Sequence, residues 1–281
     1  MWYKCYEVFE IEKKKNIRKW LYNIAILFFL GVMIFAACNL IPLLIQDHQD
    51  NETRKEWDSM VLKKQDQEDQ DGTEEEESSE PVVLDPDWAS LQSTNPDIVG
   101  WIYIPDTVIN YPIVQGSDNE YYLDHSSMKN VNTIGSIFLD VAASSDFSDL
   151  NTIIYGHSVA QSDAMFTQLA FFEDQSFFES HRYVYLLTPK QNYRCEIMAL
   201  TKTKSDSFHY QIGFAPNHYW TEYLNQVMAE AMYTHDVGEI SENDRVIMLS
   251  TCDLDYGVGS EYRILLHARL QNFDGVIRYE Q

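Results

Sequence analysis

Apolar and polar positions fall into three regimes along this chain. From Trp20 to Ile45 the apolar run is broken only by Asn23, Gly31, Asn39 and Pro42. A bilayer needs about 20 such residues, so the run predicts a transmembrane helix over 20–45. From Gln46 to Glu80 there are 14 acidic and 4 basic residues, and the large apolar side chains shrink to Trp57, Met60, Val61 and Leu62. That stretch cannot bury enough surface to fold alone, and its like charges extend it, which predicts a disordered spacer. A short helix over 52–64 is the one local exception.

Beyond residue 81 the pattern changes to short β-branched and aromatic runs separated by Pro, Gly, Asn and Asp. Eight strands are predicted: Ile98–Ile104, Val108–Val114, Ile134–Asp140, Thr152–Tyr155, Tyr183–Thr188, Tyr193–Thr201, Arg245–Thr251 and Tyr262–Leu270. Eight strands at this length point to a barrel or sandwich. Helical patterns are few. Asp87 reads as an N-cap for a short helix ending near Asn95, a second helix is predicted over 163–172, and a third over 219–233. The third carries Leu224, Val227, Met228, Ala231 and Met232 at helix spacing and reads as a packing helix inserted between strands.

The four parts are thus a tail over 1–19, an anchor over 20–45, an acidic linker over 46–80 and a folded domain over 81–281. Lys13, Lys14, Lys15, Arg18 and Lys19 precede the apolar run, which by the positive-inside rule keeps the N-terminus cytoplasmic and the domain outside. A single-pass plasma-membrane protein is the expectation. A cleaved signal or lipoprotein leader is the rival, since Phe35-Ala36-Ala37-Cys38 approximates a lipidation site. The apolar run continues past Cys38 to Ile45, whereas a cleaved core of about 7–15 residues stops at its cleavage site, which favours the anchor.

Charge and cysteines narrow the chemistry. The formal net charge is −24, which excludes nucleic acid as a natural partner and suits a soluble surface domain or the steering of a cationic amine. Four cysteines, Cys5, Cys38, Cys195 and Cys252, form no CxxC pair and no zinc-like grouping, and no cofactor or metal is expected. Only Cys195 and Cys252 lie in the folded domain.

Two strand ends draw attention. Ile153-Ile154-Tyr155 stops at Gly156 and presents His157, and Ile247-Met248-Leu249-Ser250-Thr251 stops at Cys252. A side chain just past a buried strand is rigidly aimed yet accessible. A basic neighbour raises the thiolate fraction of a cysteine, and histidine is the usual partner. Taken singly, a strand-end cysteine is often a small buried hydrophobe and a lone histidine is usually structural. Arg263 opens the next strand, where its guanidinium would return near the thiol and stabilise an oxyanion, or else form a structural ion pair.

The motifs then become specific. Asn95-Pro96-Asp97-Ile98-Val99-Gly100-Trp101-Ile102, Tyr111-Pro112-Ile113-Val114-Gln115, Asp118-Asn119 with Tyr122-Leu123, Gly135-Ser136-Ile137-Phe138-Leu139-Asp140, Tyr155-Gly156-His157 and Leu249-Ser250-Thr251-Cys252 occur in the order found in sortases. Over 85–271 the chain resembles that family, class B in particular. The resemblance implies a mainly β fold: an eight-stranded sortase β-barrel with an N-terminal helix and an inserted helix, preceded by the transmembrane helix. It implies a cysteine transpeptidase with Cys252 as nucleophile, His157 as catalytic histidine and Arg263 as the arginine, Arg269 being set aside because it lies near the far end of its strand. Asn119, Leu123, Tyr155 and Ser250 match groove positions, and Tyr210 is added from a loop that does not align. The implied partners are secreted proteins with a C-terminal sorting motif and an amine of peptidoglycan or lipid II, with a pilin lysine as the other acceptor. An extracellular cysteine hydrolase of wall peptides and a non-catalytic surface binding protein are the alternatives.

Overall fold

A computed structural model describes residues 19–38, 40–41, 55–64, 82–160 and 162–279. The chain divides into two units, Met1–Trp57 and Asp58–Gln281. In the first, helix α1 (Lys19–Cys38) is long and apolar enough to cross a membrane. Its large side chains are exposed, as a lipid-facing surface requires. Residues 42–45 of the expected anchor lie outside the described residues.

The second unit begins earlier than the sequence pattern indicates. Residues 55–61 are helical, within the short helix expected over 52–64, whereas Leu62–Lys64 departs from it and forms β1. Strand β1 pairs with β2 (Val82–Leu84), which also pairs with β12 (Ile277–Arg278), making a small three-stranded sheet. The remainder of the expected linker lies outside the described residues. Helix α2 (Trp88–Thr94) starts where Asp87 accepts a hydrogen bond from the Ser90 amide, as its capping pattern predicts.

All eight expected strands form: β3 (Ile98–Tyr103), β4 (Asn110–Val114), β5 (Ile137–Leu139), β6 (Asn151–Tyr155), β7 (Tyr183–Leu187), β8 (Tyr193–Lys204), β10 (Val246–Cys252) and β11 (Tyr262–Asn272). Their order is β11-β10-β6-β5-β4-β3-β7-β8, and β8 pairs back onto β11, closing an eight-stranded barrel. Closure removes the sheet edges that would otherwise invite association. The two-residue β9 (Tyr233–Thr234) adds to β8 outside the barrel. Strand β5 is shorter than expected because Gly135, at φ 61°, turns the chain just before it.

One expectation is corrected. The stretch 163–172 is not an α-helix: Met165 takes a left-handed φ of 56° and bridges to Ser158, and a 3-10 helix runs over Thr167–Glu173 instead. Phe166, Leu169 and Phe172 recur every third residue and are all fully buried, the spacing of a 3-10 turn rather than an α-helix. Asp174 then caps a helix the sequence pattern did not reveal, α3 (Gln175–Ser180), by accepting from the Phe177 amide.

Side chains alternate across each strand. One set, including Ile113, Leu139, Ile154, Leu200, Leu249 and Leu266, fills the barrel interior together with Phe166, Leu169 and Phe172. The inserted helix α4 (His218–Glu230) lays Trp220, Tyr223, Leu224 and Val227 on Met198, Ala199 and Val246. A second outer patch, Ile153, Met248 and Leu265, lies under Tyr155 and Tyr210.

Candidate active site

Strands β6 and β10 run parallel, with Ser250 opposite Tyr155, and the Gly156 amide still donates to the Ser250 carbonyl at 3.1 Å. His157 lies two residues past Tyr155, and Cys252 two residues past Ser250. On the other side β10 and β11 are antiparallel, and Cys252 lies opposite Arg263. Neighbouring strands are about 4.8 Å apart. The end of β6, the end of β10 and the start of β11 thus form one row of strand ends at the barrel rim, with Cys252 facing Arg263 and His157 just past β6.

The row is braced by its neighbours. Ser158 Oγ and Thr251 Oγ1 share a hydrogen bond of 2.8 Å, tying the histidine loop to the cysteine strand. The Phe166 amide donates to the His157 carbonyl at 3.0 Å. Gly156 has to be glycine: a Cβ there would lie 2.4 Å from Ile137 Cδ1 and 2.6 Å from Phe166 Cδ2. The bare backbone lets the histidine turn press directly on the core.

His157 donates from Nε2 to the Leu123 carbonyl at 2.9 Å. In the neutral ring that fixes the proton on Nε2 and leaves Nδ1 as the basic nitrogen. The carbonyl is itself held by its surroundings. Gly135 sits so close that a Cβ would lie 2.7 Å from the Leu123 oxygen, and its positive φ adds a second reason for glycine. Arg263 donates from Nη1 to the Ser260 and Tyr262 carbonyls at 2.6 and 2.9 Å, which fixes the guanidinium on the turn that returns from β10. Among the described residues no hydrogen bond reaches the Cys252 thiol, which is partly exposed.

That turn has a second anchor. Lys202 lies 2.6 Å from Glu173, 2.9 Å from Asp253 and 3.2 Å from Asp255. Burial opposes the charge on Lys202, but the three carboxylates outweigh it and hold its pKa above the ordinary lysine value. The same carboxylates converge as a cation site would, and the Lys202 ammonium already supplies their positive charge.

The expected groove residues gather on the outer face beside this row. Tyr210 and Ser250 share a hydrogen bond of 2.7 Å, and the Tyr155 and Tyr210 rings stack 6.5 Å apart at 6°. Burial raises the Tyr210 pKa, while its hydrogen bond with Ser250 and the Arg263 guanidinium act the other way. Asn119 donates to Asp140 Oδ2 at 3.0 Å, and Leu123 is 41% exposed.

Sequence reasoning missed two contributors, Asp140 and Lys202, and the backbone role of a third, Leu123. Asp140 appeared only as a motif residue, although an acidic side chain closing an apolar strand must find donors once buried. Leu123 acts through its backbone, which no residue type announces. Lys202 lies mid-strand among alternating residues, and only the fold brings its three carboxylates together.

A barrel of this topology with that rim defines the class of protein. A family model for the sortase domain matches residues 102–271. The chain belongs to the sortase family of transpeptidases. It is 38% identical over 182 residues to sortase B of Listeria monocytogenes, covering 64% of this chain and 72% of that protein. Its structure resembles that of Bacillus anthracis sortase B in complex with AAEK1, at a TM-score of 0.66 and 28% identity, covering 82% of this chain and all of the other. It likewise resembles a Staphylococcus aureus sortase B–substrate complex, at a TM-score of 0.62 and 29% identity, covering 66% of this chain and 85% of that one.

Proposed function

We propose that this sortase cleaves a C-terminal sorting motif of secreted proteins through a thioacyl intermediate on Cys252 and passes the acyl group to a cell-wall amine. The observation that carries the reading is the row of strand ends where Cys252 faces Arg263 on β11 and His157 lies just past β6, the parallel neighbour of β10. The Cys252 thiolate attacks the carbonyl of a Thr in the motif, forming a carbon–sulfur bond and an oxyanion that Arg263 steadies. The imidazolium of His157 then gives its Nδ1 proton to the departing amine as the carbon–nitrogen bond breaks. In the second half an amine attacks the thioester, His157 takes up the proton, and Cys252 leaves as thiolate.

Asn119, Leu123, Tyr155, Ser250 and Tyr210 line the groove for the motif in this reading. The donor is a secreted protein and the acceptor an amine of peptidoglycan or lipid II, with a pilin lysine as the alternative. Helix α1 is the anchor, with the tail cytoplasmic and the barrel outside at the plasma membrane.

The test uses a peptide library of sorting motifs. Cys252→Ala should abolish cleavage and thioester trapping, His157→Ala should nearly do so, and Cys195→Ala should leave both intact. Cleavage by Cys252→Ala at the wild-type rate would overturn the assignment. Release of free acid alone, with abundant amine present, would instead make the protein a hydrolase.

A further inference from the structure

We infer that Asp140 is a positioning residue for the peptide groove, holding Asn119 and Tyr155 together through one carboxylate oxygen. The inference rests on the groove described under the proposed function. Asp140 follows directly on β5, almost fully buried. Its Oδ2 accepts from the Tyr155 hydroxyl at 2.9 Å and from Asn119 Nδ2 at 3.0 Å, and its Oδ1 accepts from the Ala142 amide at 2.8 Å.

Each partner is fixed at a second point. The Asn119 carbonyl oxygen accepts from the Val141 amide at 2.8 Å, so the whole side-chain amide is oriented, with one N–H left over. Tyr155 continues into the groove: its ring stacks on Tyr210, whose hydroxyl meets Ser250 two residues before Cys252. Burial and the adjacent Asp140 carboxylate both push the Tyr155 phenol up, so the hydroxyl keeps its proton and remains the donor. The backbone around Asp140 is pinned as well. Its amide donates to the Ile153 carbonyl at 3.0 Å, and Gln115 donates to its carbonyl at 3.0 Å. One rigid carboxylate thus joins the loop carrying Asn119 to the strand carrying Tyr155. None of these hydrogen bonds involves the Cys252 thiol.

The chemistry makes Asp140→Asn selective. With its oxygen kept on the Ala142 amide, the new amide nitrogen faces two groups at once. The Tyr155 hydroxyl can reverse and accept, but Asn119 Nδ2 then meets another donor, so the Asn119 contact turns repulsive. Losing a charge-assisted bond of this kind corresponds to about a tenfold rise in KM for the peptide, with kcat within about twofold.

Peptide kinetics are measured for wild type, Asp140→Asn, Asn119→Ala and the double variant, alongside labelling of Cys252 by a peptide-free vinyl sulfone. The expected result is a raised KM in each single variant, no further rise in the double variant, and unchanged labelling. Additive effects, or a fall in kcat and labelling together with an unchanged KM, would overturn the inference and leave Asp140 a merely structural residue. Should no library peptide be cleaved by wild type, the proposed function fails, and a crystal structure of Asp140→Ala decides the inference: Asn119 and Tyr155 in their original positions overturn it, and their displacement supports it.

Discussion

The 3-10 turn Phe208–Tyr210 faces two very different environments. Tyr210 looks onto the proposed groove, where its hydroxyl meets Ser250 and the adjoining Asp140 serves Asn119 and Tyr155. Its neighbour His209 looks the other way, into a buried space beside His267, with ring centroids 5.7 Å apart. There the accounts do not close: His209 Nε2, both His267 nitrogens and Thr201 Oγ1 are buried without a hydrogen-bond partner. A polar cluster whose members are all satisfied specifies one arrangement, whereas an unsatisfied one weakens the element above it. The groove side is built to hold Tyr210 in place, and the histidine side is where that hold is vulnerable.

The comparison can be broken most severely at the rim itself. Gly156→Ala should cost about 3 kcal/mol, the upper end for forcing atoms into a packed core, because the added methyl meets Ile137 and Phe166. Urea unfolding would show it, and cleavage should fall with the displaced histidine. A variant as stable and active as wild type would mean that the close approach is unimportant.

Acid should find the histidine side. Burial, helped by His209, pushes the His267 pKa down to about 3. Between that value and the ordinary 6.5 the unfolded chain binds a proton that the folded chain refuses, so stability is complete above about pH 6.5 and declines as pH falls. At pH 5 the loss from His267 is about 2 kcal/mol relative to pH 8. His209, lowered in the same direction, adds to it. Denaturation of wild type and His267→Leu at both pH values checks this, since the variant should lose much of the acid slope.

On the groove side Tyr210→Phe removes a single neutral hydrogen bond, worth about 1 kcal/mol. A rise in KM of about fivefold is expected, with thiol labelling unchanged. The smallest effect is expected in the barrel core. Cys195 is fully buried, and burial pushes its thiol far above the usual range, so a vinyl sulfone should modify Cys252 and leave Cys195 untouched. Mass spectrometry of labelled peptides distinguishes the two.

How much of this could be read from the chain differs by kind of signal. Runs such as Ile247–Leu249 announced their strands because hydrophobic side chains and β-branching report burial directly, and Asp87 and Leu224 with Val227 announced α2 and α4. The turn over Thr167–Glu173 misled because Phe166, Leu169 and Phe172 suit a three-residue period as readily as a helical face. Strand β1 escaped because Leu62, Lys63 and Lys64 continue a helical pattern, while their pairing with Val82–Leu84 uses backbone groups that no residue type reports. The same division holds at the rim. His157 and Cys252 end apolar strands and were visible as candidates. The Leu123 carbonyl, the Ser158–Thr251 bond and the shared oxygen of Asp140 depend on which loops the barrel brings together, and no local pattern carries that information.

The parallel pairing of β6 with β10 has a further consequence for the history of each molecule. His157 and Cys252 are far apart along the chain, and every element from the 3-10 turn through β9 lies between the two strands that the parallel pairing brings together. Until then the thiol has no neighbouring base and no turn to present an arginine. On the proposed mechanism, reactivity waits on barrel closure, and a copy in which β6 and β10 are unpaired carries a chemically quiet cysteine.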